Sequence, residues 1–261
     1  MTDEFVEARG IRFAYSETGE GPVVLQAHGL TSSRASDAPF GLFDMTPVAV
    51  AGFRVIAYDA RGHGASEGTA DSADYTWSAL ADDLLALADH FSPDEPVSAI
   101  GSSMGTGTIL HAATKRPERF RRLVLTAPPT AWETRAGQAA VYAAMADGVE
   151  SNTPEALASL FDAAPAAPIF ADVPGFPPPP AIRFELLPTV LRGAGRTDLP
   201  DPDALRAVRQ PTLLLPWATD PGHPLSTAER LADLLPDSRL AVAETSADIR
   251  TWGRQAAAFL A

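Results

Sequence analysis

The 261-residue sequence predicts an α/β fold: a mostly parallel sheet of about eight strands flanked by helices, with one long insertion. Three observations predict it. Short segments rich in Val, Ile and Leu recur along the chain, a helical pattern separates the second from the third, and a long stretch without such a segment precedes the fifth. Because strand–helix–strand order requires a crossover connection, the strands on either side run parallel.

The apolar segments are continuous rather than alternating, which is typical of strands buried on both faces. They lie at residues 23–27, 54–58, 97–101, 122–127, 212–217 and 239–243. The first part of the chain, residues 5–15, alternates more openly around Arg9-Gly10 and predicts an edge hairpin. Within residues 78–91, Leu80, Leu84 and Leu87 repeat at the spacing of one buried helical stripe.

The pattern breaks over the 81 residues between Pro129 and Pro211, which are far more than one crossover helix needs. We therefore predict a lid at residues 130–210, inserted into a core formed by residues 1–129 and 211–261. Residues 132–149 predict a first helix, and Asn152-Thr153-Pro154-Glu155 predicts the cap and first turn of a second. The proline-rich residues 174–180 predict a stiff connector, because proline lacks the amide donor that a helix or central strand needs.

Large apolar side chains within the insertion favour a folded lid over a disordered linker, because they need burial. They are Phe161, Ile169, Phe170, Phe176 and Phe184. The phenylalanines would suit an apolar substrate portion, but a packed interior of the lid gives the same composition and is the favoured interpretation.

Composition narrows the function classes. The excess of 33 Asp and Glu over 20 Lys and Arg gives a net charge of -13, which disfavours nucleic acid or a membrane surface as a partner. The absence of Cys excludes disulfides, a thiolate nucleophile and cysteine-ligated metals. The acidic first residues lack the basic and apolar regions of a secretory signal. We expect a cytoplasmic protein that acts on a small molecule.

The most specific motif is Gly101-Ser102-Ser103-Met104-Gly105, which lies between a predicted strand and a helix running from Thr106 to about residue 115. So tight a turn strains the backbone of Ser103 and requires small residues on both sides. It also holds the hydroxyl at a helix N-terminus, where free amides favour negative charge. The alternative is a Gly/Ser-rich loop without chemistry. The strand and helix around the motif favour Ser103 as a nucleophile, with Ser102 as a structural turn residue.

A second motif, His28-Gly29-Leu30-Thr31, follows the strand at 23–27 and fits a loop that supplies a second oxyanion amide. The backbone amides of Leu30 and Met104 would then bind the oxyanion, each contributing about 3 kcal/mol. His28 and Gly29 are predicted to contact the substrate. For the His28 ring, a structural hydrogen-bonding role in the loop is the favoured alternative.

A third loop, residues 59–66, carries Asp59, Arg61 and His63 among glycines. We expect these side chains to pin the loop through hydrogen bonds and an ion pair rather than to take part in chemistry.

Together these motifs resemble the α/β-hydrolase superfamily over nearly the whole chain outside the insertion. The resemblance is carried by His28-Gly29, the loop 59–66, the turn at Ser103, Pro117-Glu118-Arg119 and Asp220. It implies an eight-stranded, mostly parallel sheet, a lid after the sixth strand and a catalytic triad in the order Ser, Asp, His. It also implies that Ser103 is the nucleophile, Asp220 the acid, and Leu30 and Met104 the oxyanion residues, with no metal or organic cofactor.

The sequence departs from this family at the catalytic histidine, which should follow the last strand. Residues 244–250 contain no histidine, and none follows His223. His111 lies about 12 Å along the elbow helix from Ser103, His90 ends a surface helix, and the other two histidines have loop roles. His223, three residues after Asp220, is therefore predicted to replace the missing base. The alternative is a histidine that only pins its loop.

The sequence thus predicts a serine hydrolase that cleaves a small carboxylic ester, thioester or lactone through an acyl-enzyme at Ser103. If no base replaces the family histidine, the alternative is a non-hydrolytic, lyase- or isomerase-like, or ligand-binding protein of the same fold. A structural protein that uses the proline-rich lid as a partner surface is a weaker alternative, because a scaffold has no use for a strained turn.

Overall fold

The computed structural model describes residues 3–153 and 167–261. It confirms the predicted eight-stranded, mostly parallel sheet, with the strand order β1-β2-β4-β3-β5-β6-β7-β8. Only β2 runs antiparallel to its neighbours β1 and β4 among the described strands. The strands are β1 (Glu4–Ala8), β2 (Ile11–Thr18), β3 (Val23–Ala27), β4 (Arg54–Tyr58), β5 (Val97–Ser102), β6 (Phe120–Thr126), β7 (Thr212–Leu215) and β8 (Ser238–Leu240).

The first hairpin closes at Arg9 and Gly10, whose φ angles of 50° and 70° are those of a two-residue turn that suits the twist of paired strands. The last two strands are shorter than predicted. Pro216 follows β7 directly and cannot donate to a ladder, so the pairing continues only as a single bridge between Trp217 and Ala243.

Helices cover both faces of the sheet. The α-helices within residues 3–153 and 167–261 are α1 (Thr46–Val50), α2 (Trp77–Phe91), α3 (Met104–Lys115), α4 (Arg135–Ser151), α5 (Leu187–Gly195), α6 (Pro202–Arg206), α7 (Leu225–Leu234), α8 (Ser246–Ile249) and α9 (Trp252–Leu260). Alternate residues of one strand enter two different cores: Leu25 packs with α2 and α3, while Val24 packs with α1 and α9. This double burial explains why the strands read as continuous apolar segments.

The described elements between β6 and β7 are two short 3-10 helices, Trp132–Thr134 and Pro168–Phe170, and the helices α4, α5 and α6. Ala146 and Val149 of α4 pack against Leu187 and Leu191 of α5, which forms a small separate core. The proline-rich residues 174–180 form neither helix nor strand, as predicted. The predicted second helix, which begins at Pro154, and Phe161 lie outside the described residues.

Within residues 3–153 and 167–261, no helix has both the length and the apolar character needed to cross a membrane.

Candidate active site

Ser103 occupies a strained turn between β5 and α3, with φ of 51° and ψ of -105°. Gly101 and Gly105 make this turn possible. A Cβ at position 101 would lie 2.5 Å from the Gly105 carbonyl, and a Cβ at position 105 would lie 2.3 Å from the Ala27 carbonyl oxygen of β3. The two glycines therefore let strand and helix approach closely, as the motif predicts. The helix itself begins at Met104, two residues earlier than predicted.

Asp220 and His223 lie on a four-residue turn just after β7. The His223 amide donates to the Asp220 carbonyl over 3.1 Å and closes the turn. The Gly222 amide donates to Oδ1 of Asp220 over 2.8 Å. Asp first and Pro second are the residues that such a turn prefers, because Asp binds an amide two residues on and Pro fixes φ. The turn is attached to the start of the insertion by the Thr130 amide, which donates to the Gly222 carbonyl over 3.1 Å.

This turn brings His223 between Ser103 and Asp220. The Nε2 atom of His223 lies 2.8 Å from Ser103 Oγ, and its Nδ1 atom lies 2.8 Å from Asp220 Oδ2. Because a carboxylate only accepts, Nδ1–H donates to Asp220 and Nε2 is left to accept the Ser103 hydroxyl proton. The three side chains form a continuous chain of hydrogen bonds.

Several donors hold Asp220 ionised. Burial alone would raise the Asp220 pKa, but hydrogen bonds from His223, Gly222 and Trp217 lower it below its ordinary value. The Trp217 indole donates to Oδ2 of Asp220 over 3.0 Å, and its ring meets the His223 ring edge to face at 4.9 Å. Sequence reasoning missed Trp217, because a tryptophan at the end of an apolar segment looks like any other core residue.

The two residues predicted to supply oxyanion amides flank Ser103. Leu30 follows β3 and lines the cavity in front of Ser103. Met104 is buried, and as the first residue of α3 its amide has no acceptor within the helix. A developing negative charge beside Ser103 would therefore meet the N-terminal end of α3.

A cavity of about 290 Å³ opens in front of Ser103. Its polar lining residues include Ser32, Asp37, Ser102, Asp220 and His223, and its apolar ones Leu30, Phe43, Ala167, Phe170, Phe176, Pro177, Pro178 and Trp217. Phe170 and Phe176 line this cavity and also pack in the core, so both interpretations of the phenylalanines in residues 130–210 apply to these two side chains. Phe184 packs against the α4–α5 core instead. Among the described lining residues, none comes after His223 in the chain.

The remaining histidines are occupied elsewhere. The Ala60 amide donates to Nε2 of His28 over 2.9 Å, so Nδ1–H of the same ring donates to the Gly29 carbonyl over 2.8 Å. Both ring nitrogens are used, and His28 does not line the Ser103 cavity, so the geometry supports the loop role of His28 rather than substrate contact. Gly29 does line that cavity.

His111 and His90 lie away from Ser103. Nε2 of His111 lies 2.8 Å from the Asp198 carbonyl, and burial lowers the pKa of this histidine. His90 is exposed at the end of α2.

The loop 59–66 is pinned as the sequence predicts. The Asp59 carboxylate accepts from Arg34 and from the Ala65 amide, while Arg61 forms a two-pronged buried pair with Asp83 of α2. His63 is fully buried, and burial lowers its pKa to about 3, which keeps the ring neutral. The ion pairs therefore join this loop to other elements. They do not form within it.

The family model described as alpha/beta hydrolase fold matches residues 22–171, which is more than half of the chain. The protein belongs to the α/β-hydrolase family. An epoxide hydrolase of Caballeronia sordidicola is 34% identical over 116 residues, which are 44% of this chain and 34% of that relative. The chain spans less than half the length of the curated relatives it matches.

Solved structures show the same fold over the full chain. A hydrolase from Pseudomonas aeruginosa PA01 superposes with a TM-score of 0.74 at 23% identity, covering 99% of this chain and 98% of that one. The enol-lactonase from Burkholderia xenovorans LB400 superposes with a TM-score of 0.69 at 21% identity, covering 98% and 99%.

Proposed function

We propose that this α/β hydrolase cleaves a small carboxylic ester, thioester or lactone through an acyl-enzyme on Ser103. One observation carries the proposal: His223 lies 2.8 Å from Ser103 Oγ on one side and 2.8 Å from Asp220 Oδ2 on the other. Nucleophile, base and acid are the parts that acyl transfer needs, and they line one cavity.

In the acylation step, Ser103 Oγ attacks the substrate carbonyl carbon while Nε2 of His223 takes the hydroxyl proton. The resulting imidazolium is stabilised by the Asp220 carboxylate, and the oxyanion is bound by the Leu30 and Met104 amides. The tetrahedral intermediate collapses when the bond to the leaving group breaks, and His223 gives its proton to the departing oxygen or sulfur. The acyl group then remains as an ester on Ser103.

Deacylation repeats the same proton movements with water. His223 takes a proton from water as its oxygen attacks the acyl carbonyl, and returns that proton to Ser103 Oγ as the ester bond breaks. The products are the carboxylic acid and the regenerated hydroxyl. All proton transfers pass through the His223 imidazole, and these steps need no cofactor.

The segment 130–210 acts in this proposal as a lid over the core of residues 1–129 and 211–261. It contributes Ala167, Phe170, Phe176, Pro177 and Pro178 to the wall facing Ser103. These apolar groups would exclude water from the cavity and so strengthen the electrostatic contacts on the oxyanion.

The His223–Ser103 contact supports hydrolysis over a non-hydrolytic role. The non-hydrolytic alternative depended on Ser103 having no base beside it. The likeness to an enol-lactonase supports a carboxylic ester or lactone as the substrate class.

The test is covalent labelling with a fluorophosphonate, which adds only to an activated serine. We expect one adduct per chain, on the peptide containing Ser103, and a burst of p-nitrophenol with p-nitrophenyl acetate. Ser103→Ala should abolish both signals, whereas Ser102→Ala, which removes the neighbouring hydroxyl, should keep them. An intact protein that takes no label and shows no burst would refute the proposal.

A further inference from the structure

Asp37 is a half-buried carboxylate that the proposed mechanism does not use. It lines the Ser103 cavity, and its side chain accepts one hydrogen bond, from Ser32 Oγ at 3.1 Å. Within the part of the chain that the structure describes, no Lys, Arg or His forms an ion pair with it. Fully buried carboxylates are almost always paired with a cation, and Asp37, which is partly buried, has no such partner among the described residues.

The nearest cation in sequence is already engaged. Arg34 pairs with Asp59 at 2.6 Å and also contacts Asp3, and its backbone amide donates to Asp59 as well. Burial raises the pKa of Asp37 to about 6, so the group is still mainly a carboxylate at neutral pH. The chain therefore maintains a negative charge in the cavity without supplying a positive one.

The position of Asp37 brings that charge within reach of a bound substrate. Asp37 and Ser103 line the same cavity of about 290 Å³, which is at the lower limit for small-molecule sites, so we expect a substrate bound at Ser103 to occupy the space that Asp37 lines. Phe43, Phe176 and Trp217 line the same cavity, and aromatic faces attract organic cations. Asp37 also lines a second cavity, of about 390 Å³.

We propose that Asp37 is a substrate-recognition residue and that the substrate carries a protonated amine besides its scissile carbonyl. The inference rests on the proposed function, because it places the amine on the molecule that Ser103 attacks. The ammonium would donate to the Asp37 carboxylate and replace the missing cationic partner, a charge-assisted hydrogen bond in a partly desolvated site.

The test uses pairs of esters that differ only in charge. 2-(Dimethylamino)ethyl butyrate and 3-methylbutyl butyrate have the same shape, but only the first carries a protonated nitrogen. Ethyl 4-(dimethylamino)butyrate and ethyl 5-methylhexanoate make the same comparison on the acyl side. We expect kcat/KM to favour the amine in at least one pair by about 10- to 100-fold.

Substitutions assign this preference to Asp37. In Asp37→Asn the ratio within the preferred pair should fall close to one, and in Asp37→Glu, which restores the charge, it should recover. Asp94→Asn is the matched control: Asp94 is exposed and lines neither the Ser103 cavity nor the second cavity, and its substitution removes the same charge as Asp37→Asn. It should keep the wild-type ratio. Equal kcat/KM values within both pairs, or a preference that persists in Asp37→Asn, would overturn the proposal.

Binding separates this inference from the proposed hydrolysis. If no ester is cleaved, the hydrolase proposal fails. The role of Asp37 can still be decided by measuring the dissociation constant of each ester for the Ser103→Ala variant by calorimetry. We expect the amine to bind more tightly than its uncharged isostere. This difference should be lost in the Ser103→Ala/Asp37→Asn double variant. Equal binding of both members of each pair would refute it.

Discussion

Replacing His223 with alanine is the most direct test of the proposal that His223 is the general base. The ring contacts both of its partners at 2.8 Å, so the substitution removes the proton acceptor and its orienting bond together. General-base catalysis by a well-placed imidazole contributes up to about 10⁴-fold. We therefore expect kcat/KM for p-nitrophenyl butyrate to fall by about 10³- to 10⁴-fold, or about 4 to 5.5 kcal/mol of transition-state stabilisation.

The assay compares four proteins: wild type, His223→Ala, Ser103→Ala and the double variant. Residues that act as one unit are non-additive, so the double variant should be no slower than the slower single variant. His90→Ala, which removes an exposed histidine far from the site, is the matched control and should keep full activity. A loss below tenfold in His223→Ala, with the fold intact by circular dichroism, would refute the assignment of the base.

Three further predictions concern residues around the triad. Trp217→Phe removes the indole donor that lies 3.0 Å from Oδ2 of Asp220. The Asp220 carboxylate is then held less firmly beside His223, so kcat should fall about tenfold; an unchanged kcat would count against this. Gly105→Ala forces a Cβ to 2.3 Å from the β3 backbone and should destabilise the fold by more than about 2 kcal/mol in urea unfolding, whereas Gly137→Ala, with open space in α4, should stabilise it by about 0.5 to 1 kcal/mol. Asp37→Asn should raise the free energy of unfolding at about pH 8 by about 1 to 2 kcal/mol, after discounting for partial exposure. Because the pKa of Asp37 is raised to about 6 in the folded protein, the wild type loses stability as the pH rises from about 4 to 6. A gain in the variant that does not depend on pH would contradict this.

Much of the fold could be predicted from the sequence, because strands that are buried on both faces of the sheet appear as continuous apolar segments. Leu25 and Val24 face opposite cores, so neither can be polar, and the strand reads as an unbroken apolar segment. The turn at Ser103 is equally predictable from the sequence. Gly101 and Gly105 are required there, because a Cβ at either position would clash with neighbouring atoms.

The direction of the His223 side chain could not be read from the sequence. Its loop was predictable from Asp220, Pro221 and Gly222, but the ring direction depends on how that turn closes and how the Thr130 amide holds it. Trp217 and Asp37 were missed for a related reason: a single residue in a strand end or a loop has no periodicity, and only the folded chain shows what surrounds it.

The four-residue turn from Asp220 to His223 carries both the acid and the base of the proposed mechanism. In that mechanism the acid and the base lie within one short segment, and no catalytic side chain is needed from the residues after β8. Sequence drift in α8 and α9 would then be limited by packing alone. The same short turn could be introduced into a related hydrolase that has lost a histidine after its last strand. Measuring turnover would then show whether this one segment restores activity.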